Sequence, residues 1–428
     1  MKKKSSPLGD IIKKIRKNPN LVIGLAVILV IAAFIYIPEV NKEFTPGSSE
    51  AFDGGIVNPK YDPDSGLIGP DDVDIGVPKP WRPEGINTTL LIPDENYSYG
   101  YAKIYEDTLV YVRKEVQTYR KDILMMDISN KIITPIDIDA NHSAHMPEIY
   151  GNYIVYNKYK NGHSWDIYLY NIETQNDPIN ITNNSLDKNS TTPLIYGNNV
   201  VFKTKNYYTN TNIVKSTDIV LYDIYSPGNL EIIKTFSASE KISDMSMYKN
   251  YVLWSYKNND SEKYNVNMID LNALDQPSVI IDPNPSVNQF HPVRYDDLVV
   301  WHTKEYAFGP RSVILFNLTT GKKIAITRDE IYDANEWPSI YGKLIAMRGF
   351  LDHPATTEQR VLIEKYDPIL YKILADPPEY EVDPSNASAQ AIVDLYKNKV
   401  IYCSEIYDNP LTPSLIEGTV HMFEITNL

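Results

Sequence analysis

Seven histidines, one cysteine and a scatter of carboxylates carry the chemistry available to this 428-residue chain. Cys403 stands alone, so one chain can form no disulfide framework, no CxxC redox pair and no thiolate zinc cluster. Among the histidines, His145 and His291 fall just ahead of segments that read as innermost strands, and Glu336-Trp337 holds the corresponding place in a third such segment. In a propeller those positions face one opening of the central channel, where His145, His291, Glu336 and Trp337 could form a metal or substrate site. The reading we favour is strand-end residues that hydrogen-bond neighbouring loops. His142 and His145, three residues apart, are too few to define a metal site without carboxylate partners that a sequence cannot place. We assign no catalytic residue, no metal and no cofactor. The chain contains no GxSxG elbow, HExxH pair, Walker loop or GxGxxG fingerprint, which removes the usual warrant for serine hydrolases, zincins and nucleotide enzymes.

The elements that would position these residues repeat. Aligned on a tyrosine, the segments AKIYEDTLVYV, PEIYGNYIVYN, PLIYGNNVVFK, MSMYKNYVLWS, PVRYDDLVVWH, PSIYGKLIAMR and VDLYKNKVIYC recur at Tyr105, Tyr150, Tyr196, Tyr248, Tyr295, Tyr341 and Tyr396. Six residues after each comes a large side chain: Tyr111, Tyr156, Phe202, Trp254, Trp301, Met347 and Tyr402. Gly, Asn and Asp cluster just after the tyrosine, where a tight hairpin needs residues tolerant of positive φ. A third strand (DILMMDI from 122, DIYLYNI from 166 and their counterparts) and a fourth apolar strand complete most units. Four antiparallel strands at intervals of 45 to 55 residues are the mark of a β-propeller, whose blades must stack on one another to bury both faces. The seventh unit stops after three strands, while an unassigned strand, NTTLLIP at 87 to 93, precedes the first tyrosine. Pairing the two would close the ring and hide both edges. The expectation is an all-β, seven-bladed propeller over 86–428, with the N-terminal strand closing the last blade.

The stretch PEIYGNYIVYNKYKNGHSWDIYLYNIETQNDPINITNN, residues 147 to 184, resembles the TolB-like, WD40-like propeller repeats common in surface proteins of archaea. The likeness covers nearly all of the chain after residue 86 and is strongest in the second unit. It implies a rigid scaffold and a cell-surface setting, and no universal active site.

Charge and hydropathy supply a location. The net charge of -14 argues against nucleic acid, whose phosphates require a basic surface. Residues 1–20 carry seven basic side chains against Asp10, a local +6, so the remainder carries -20. The run Leu21–Ile37 has no charged residue and, at about 1.5 Å per residue, spans roughly 25 Å. A cleaved signal peptide would end in small residues, whereas Ala32-Ala33 are followed by Phe34, Ile35 and Tyr36, which favours an uncleaved transmembrane signal anchor over 21–38. The basic tail 1–20 then lies in the cytoplasm and the rest outside. Residues 39–85, rich in Pro and Gly, read as a flexible linker. Nine N-x-S/T sequons occur, and Asn141, Asn183, Asn189 and Asn259 fall in expected turns, which makes them glycosylation candidates.

The function that follows is a single-pass, membrane-anchored extracellular propeller that binds an envelope protein or a glycan. An extracytoplasmic glycan lyase or hydrolase acting at the channel mouth is the competing class. A Tol-like envelope transport component is the third.

Overall fold

The computed structural model describes residues 85–92, 95–139, 142–160, 164–209, 211–258, 263–283, 287–304, 311–326, 334–353, 356–367, 372–373, 389–407 and 415–426. The chain divides into Met1–Val77 and Pro78–Leu428, and every described residue belongs to the second unit. The tail 1–20, the apolar segment 21–38 and the linker up to residue 84 lie outside the described residues. Among those described, no helix is long and apolar enough to cross a membrane.

The described part is an all-β propeller. Its first unit runs Tyr97–Tyr105, Thr108–Glu115, Lys121–Asp127 and Ile132–Asp137, each strand antiparallel to the one before. In all seven repeats the residue after the aligned tyrosine has positive φ: Glu106, Gly151, Gly197, Lys249, Asp296, Gly342 and Lys397, between 46° and 62°. A two-residue hairpin with left-handed backbone at its first position matches the twist of its strands, and this gives every repeat the same tight entry.

The second strand of each repeat explains the near-continuous apolar runs, because it is buried on both faces. Its side chains alternate between two packing clusters. Leu109 and Tyr111 pack with Ile401, Cys403 and Val420 of the last repeat, whereas Val110 and Val112 pack with Ile154 and Tyr156 of the next. Val155 continues to Val200 and Phe202, Val201 to Val252 and Trp254, Leu253 to Val299 and Trp301, Val300 to Ile345 and Met347, and Ala346 to Val400 and Tyr402. The large residue six after each tyrosine therefore always points back into the preceding repeat, and all seven are at most 2% exposed. These clusters form a closed circle, so no repeat buries its apolar faces alone.

The expectation of seven separate blades is corrected. Counted as continuous hydrogen-bonded sheets, the described strands make six blades, because the fifth and sixth repeats share one eight-stranded sheet. The fourth strand of the fifth repeat, Lys323–Ala325, covers only Ile314–Phe316 of its neighbour Arg311–Asn317. The start of Arg311–Asn317 extends past that short strand, and Ala334, first residue of the next inner strand, pairs with Arg311 in parallel. A short outer strand has let two repeats join edge to edge. The other five sheets have four strands each.

One of these five combines the two ends of the domain: Gly85–Leu91 pairs with Leu415–Ile425, which continues to Lys399–Tyr407 and Ala389–Tyr396. The Tyr402 hydroxyl donates to Asn87 Oδ1 at 3.1 Å across this junction. Gly85 lies so close to the last strand that a Cβ there would stand 2.2 Å from the Glu424 carbonyl oxygen.

Candidate functional site

Each innermost strand carries a bulge shortly before its tyrosine, where the register with the second strand shifts: Gly100/Lys103, His145/Glu148, Thr191/Leu194, Ile242/Met245, Phe290/Val293, Glu336/Ser339 and Ala391/Val393. Five residues that stand four before a ring tyrosine have left-handed backbone despite carrying a side chain: Tyr101, Met146, Thr192, His291 and Trp337, with φ between 48° and 56°. Bulges re-aim side chains, and strain repeated at one register is retained where the surroundings over-determine it. Thr192 is the most costly case, being β-branched. Thr192→Gly is expected to stabilise the propeller by about 1 kcal/mol, read as a raised urea midpoint at unchanged slope.

Beyond the bulge the strand resumes alternation, and the residue two before each tyrosine lines the central channel: Lys103, Glu148 and Asp394 on one arc, Leu194, Ser246, Val293 and Ser339 on the rest. The cavity holds about 470 Å³. At the tyrosine level the channel is collared by an unbroken aromatic ring, with centroid separations of 4.9 Å (Tyr105–Tyr150), 4.2 Å (Tyr150–Tyr196), 5.5 Å (Tyr196–Tyr248), 5.1 Å (Tyr248–Tyr295), 4.7 Å (Tyr295–Tyr341), 5.2 Å (Tyr341–Tyr396) and 5.0 Å (Tyr396–Tyr105). The tilted and edge-on geometries suit the ring quadrupoles. Burial, followed by the neighbouring Tyr341, pushes the Tyr295 phenol up to about 12, so this hydroxyl stays protonated.

Two charged groups face the cavity. Lys103 Nζ lies 3.3 Å from Glu148 Oε1 and 3.5 Å from Asp394 Oδ1, and Asp394 Oδ2 also accepts the Ile104 N–H at 3.0 Å. Burial works against the Lys103 charge, but Asp394 and Glu148 outweigh it and hold the ammonium above the ordinary lysine range. Burial raises the Glu148 carboxyl, with Lys103 pulling the other way. The second group is Asp244, whose Oδ1 is 3.1 Å from His291 Nε2 and whose Oδ2 accepts the His291 backbone N–H at 3.4 Å. His291 stacks on His302 at 5.0 Å and meets Trp337 at 5.5 Å. The Arg348 guanidinium covers the Trp337 ring at 4.1 Å.

The histidines singled out by sequence lie within inner strands, His142–Tyr150 and Asn288–Tyr295, not ahead of them. They are also not equivalent. His145 stands five before its tyrosine and His291 four, and an offset of one residue turns a side chain to the other face. His291 and Trp337 line the channel, whereas in the second repeat Met146 takes that place. The His145 ring instead packs edge-on to Tyr101 at 4.1 Å, with Nε2 2.9 Å from Lys121 Nζ. Burial, with the Lys121 charge added, lowers its pKa to about 3, so it is neutral in the folded protein. Glu336 shares the His145 register, and its backbone lies opposite that of Arg348 on the neighbouring strand. Among the described residues, no group of three or more His, Cys, Asp or Glu is placed to hold a metal ion.

No family model matches the chain, and no curated protein matches its sequence. Solved structures do match its fold. An oligogalacturonate lyase from Vibrio parahaemolyticus superposes with a TM-score of 0.55 at 10% identity, over 81% of this chain and 99% of that one. The β-propeller domain of the Trilobed protease from Pyrococcus furiosus gives 0.53 at 12%, over 73% and 90%. An oligogalacturonate lyase in complex with manganese gives 0.52 at 8%, over 81% and 98%. At these identities the likeness is one of fold alone.

Sequence reading overlooked Lys103, Glu148, Asp244 and Asp394. Counting back two and four residues from each aligned tyrosine would have found them. Of the glycosylation candidates, Asn141 and Asn259 lie outside the described residues. Asn183 is exposed at a turn, and Asn189 is built into the fold: its Oδ1 accepts the Trp165 N–H at 2.9 Å and its amide donates to the Tyr207 hydroxyl at 3.2 Å.

Proposed function

We propose that the propeller is an extracytoplasmic binding module, tethered to the membrane by residues 21–38, that takes a neutral or amino-bearing glycan into its central channel. The observation that carries this reading is the joint placement of two aromatic side chains, Tyr101 and Trp337, with Glu148, Asp244 and Asp394 around one cavity of about 470 Å³. Aromatic rings stack on the C–H faces of sugars while carboxylates accept their hydroxyl or ammonium protons, and the volume falls in the usual range for ligand sites. Three carboxylates against Lys103 leave the lining acidic, which disfavours a polyanionic saccharide. The catalytic alternative rested on His145, His291 and Glu336 meeting in one pocket, and the two histidines face different surroundings. The TolB-like resemblance, the basic tail and the apolar run support the surface setting.

Titration calorimetry on the full chain in detergent tests the ligand. Neutral or amino oligosaccharides should bind, oligogalacturonates should not, and Trp337→Ala, checked for an unchanged melting curve, should weaken binding about tenfold or more, equivalent to about 1.4 kcal/mol. Binding of oligogalacturonates, or an unaffected Trp337→Ala, would overturn the assignment. Protease added to intact cells should remove the propeller, and its survival would refute the placement.

A further inference from the structure

Between the second and third repeats lies a cleft of about 320 Å³ with three sequons at or near its rim. They are not alike. Asn180 is consumed by the fold: its amide donates to Asp166 Oδ2 at 3.0 Å, and its Oδ1 accepts the N–H groups of Thr182 and Asn183 at 3.1 and 2.9 Å. The hydroxyl of its sequon, on Thr182, donates to Asp166 Oδ1 at 2.9 Å. Asn189 is consumed as well, by Trp165 and Tyr207. Asn183 differs on every point. It is exposed, it holds a left-handed position at φ 43°, and among the described residues only its backbone N–H is engaged, by Asn180. Ser185, the hydroxyl residue of its sequon, is exposed and donates to Asp187 on the same turn.

The cleft has a second property. Leu230 and Ile232, on the outer strand Leu230–Ser237, are 41% and 58% exposed and line it together with Asn183. An outer strand with bare apolar side chains is an invitation to edge-to-edge association unless something covers it.

The geometry points to Asn183 as the acceptor of an N-linked glycan whose first sugars lie over Leu230 and Ile232. This rests on the extracytoplasmic placement proposed above. The reaction joins Asn183 Nδ2 to the anomeric carbon of an oligosaccharide carried on a lipid pyrophosphate. The bond from that carbon to the pyrophosphate oxygen breaks, the lipid pyrophosphate leaves with the electron pair, and the amide loses one proton. The co-reactant is the lipid-linked oligosaccharide and the catalyst a membrane oligosaccharyl transferase. A free amide nitrogen and a reachable hydroxyl two residues on are what such an acceptor requires, and of these three sequons Asn183 supplies both.

The test is peptide mass spectrometry on the full chain isolated from the membranes of its own cells, alongside protease treatment of the intact cells. A glycan mass on the peptide containing Asn183, with Asn180 and Asn189 unmodified, is the expected result. Asn183→Gln should lose that mass and bind more of an apolar fluorescent dye than the glycosylated chain. Adding Leu230→Ser and Ile232→Ser should cancel the increase. An unmodified Asn183 on a propeller that the protease reaches overturns the site and leaves the placement standing. A protease-protected propeller overturns both. Equal dye binding with and without the glycan overturns the covering role.

Discussion

Trp301→Ala is expected to cost about 3–5 kcal/mol of propeller stability, measured as a fall in the urea midpoint at constant slope. Trp301 is fully buried between the fourth and fifth repeats, against Leu253, Val266 and Val299, with the Phe316 ring 6.1 Å away. Removing an indole there leaves a cavity between two sheets that are each held on their far side by another neighbour, so neither can move in to fill it. Trp301→Phe is a sharper comparison. The indole Nε1 is buried with no hydrogen-bond partner among the described residues, so phenylalanine keeps much of the packing while removing an unsatisfied donor. It should cost less than half as much as alanine. Tyr208→Ala, at a site 54% exposed, is the control and should stay within about 0.5 kcal/mol of the parent. Equal losses for Trp301→Ala and Tyr208→Ala would remove the inter-repeat clusters as the source of stability.

Acid should loosen the same ring at two defined points. Burial and the Lys121 charge lower the His145 pKa to about 3, and burial lowers that of His421 to about 4, against an ordinary value of 6.5. Both are neutral in the folded protein, while the unfolded chain takes up a proton on each below pH 6.5. Their contribution to stability is therefore complete above about pH 6.5 and is lost as pH falls towards 4 for His421 and 3 for His145, at about 1.4 kcal/mol per pH unit for each proton by which the states differ. His421 lies on the strand that pairs with Gly85–Leu91, where its Nδ1 is 3.3 Å from Thr89 Oγ1 and its ring stacks on Tyr402 at 4.9 Å. Loss there bears on closure. Glu148 runs in the opposite sense, since its carboxyl is raised in the folded state. Denaturant unfolding at intervals from pH 7.5 to 4 should show a steady decline that His145→Gln and His421→Gln each flatten. A profile unaffected by both substitutions would refute the assignment.

Much of this architecture is legible in the chain because it is local. The hairpin after each tyrosine, the apolar second strand and the large residue six positions on all follow from short-range spacing, and residues such as Gly151-Asn152 and Trp254 read the same way in the sequence and in the fold. The bulge was not legible. It breaks the two-residue period in the middle of a strand, and its left-handed residues Tyr101, Met146, Thr192, His291 and Trp337 share no chemistry of their own; the proline that follows four of them, at positions 147, 193, 292 and 338, marks the start of a strand as readily as a bulge. Without the bulge, His145 and His291 look like counterparts, and with it they belong to different surroundings. The sharing of one sheet by the fifth and sixth repeats was hidden for a related reason. It depends on how far a three-residue strand, Lys323–Ala325, covers its neighbour, which is a matter of pairing length and not of composition.

The repeat register, the strand pattern and the closed-ring architecture are written in the sequence, because each arises from alternation and turn chemistry within about a dozen residues. Which polar groups share the channel was decided only by ring closure. Lys103 meets Asp394 across 291 positions of sequence, Asp244 meets His291 across 47, and the seven tyrosines touch only because the last repeat returns to the first. Local spacing can say that a side chain points to the axis, whereas its partner on the far side of the ring is set by how all the repeats pack.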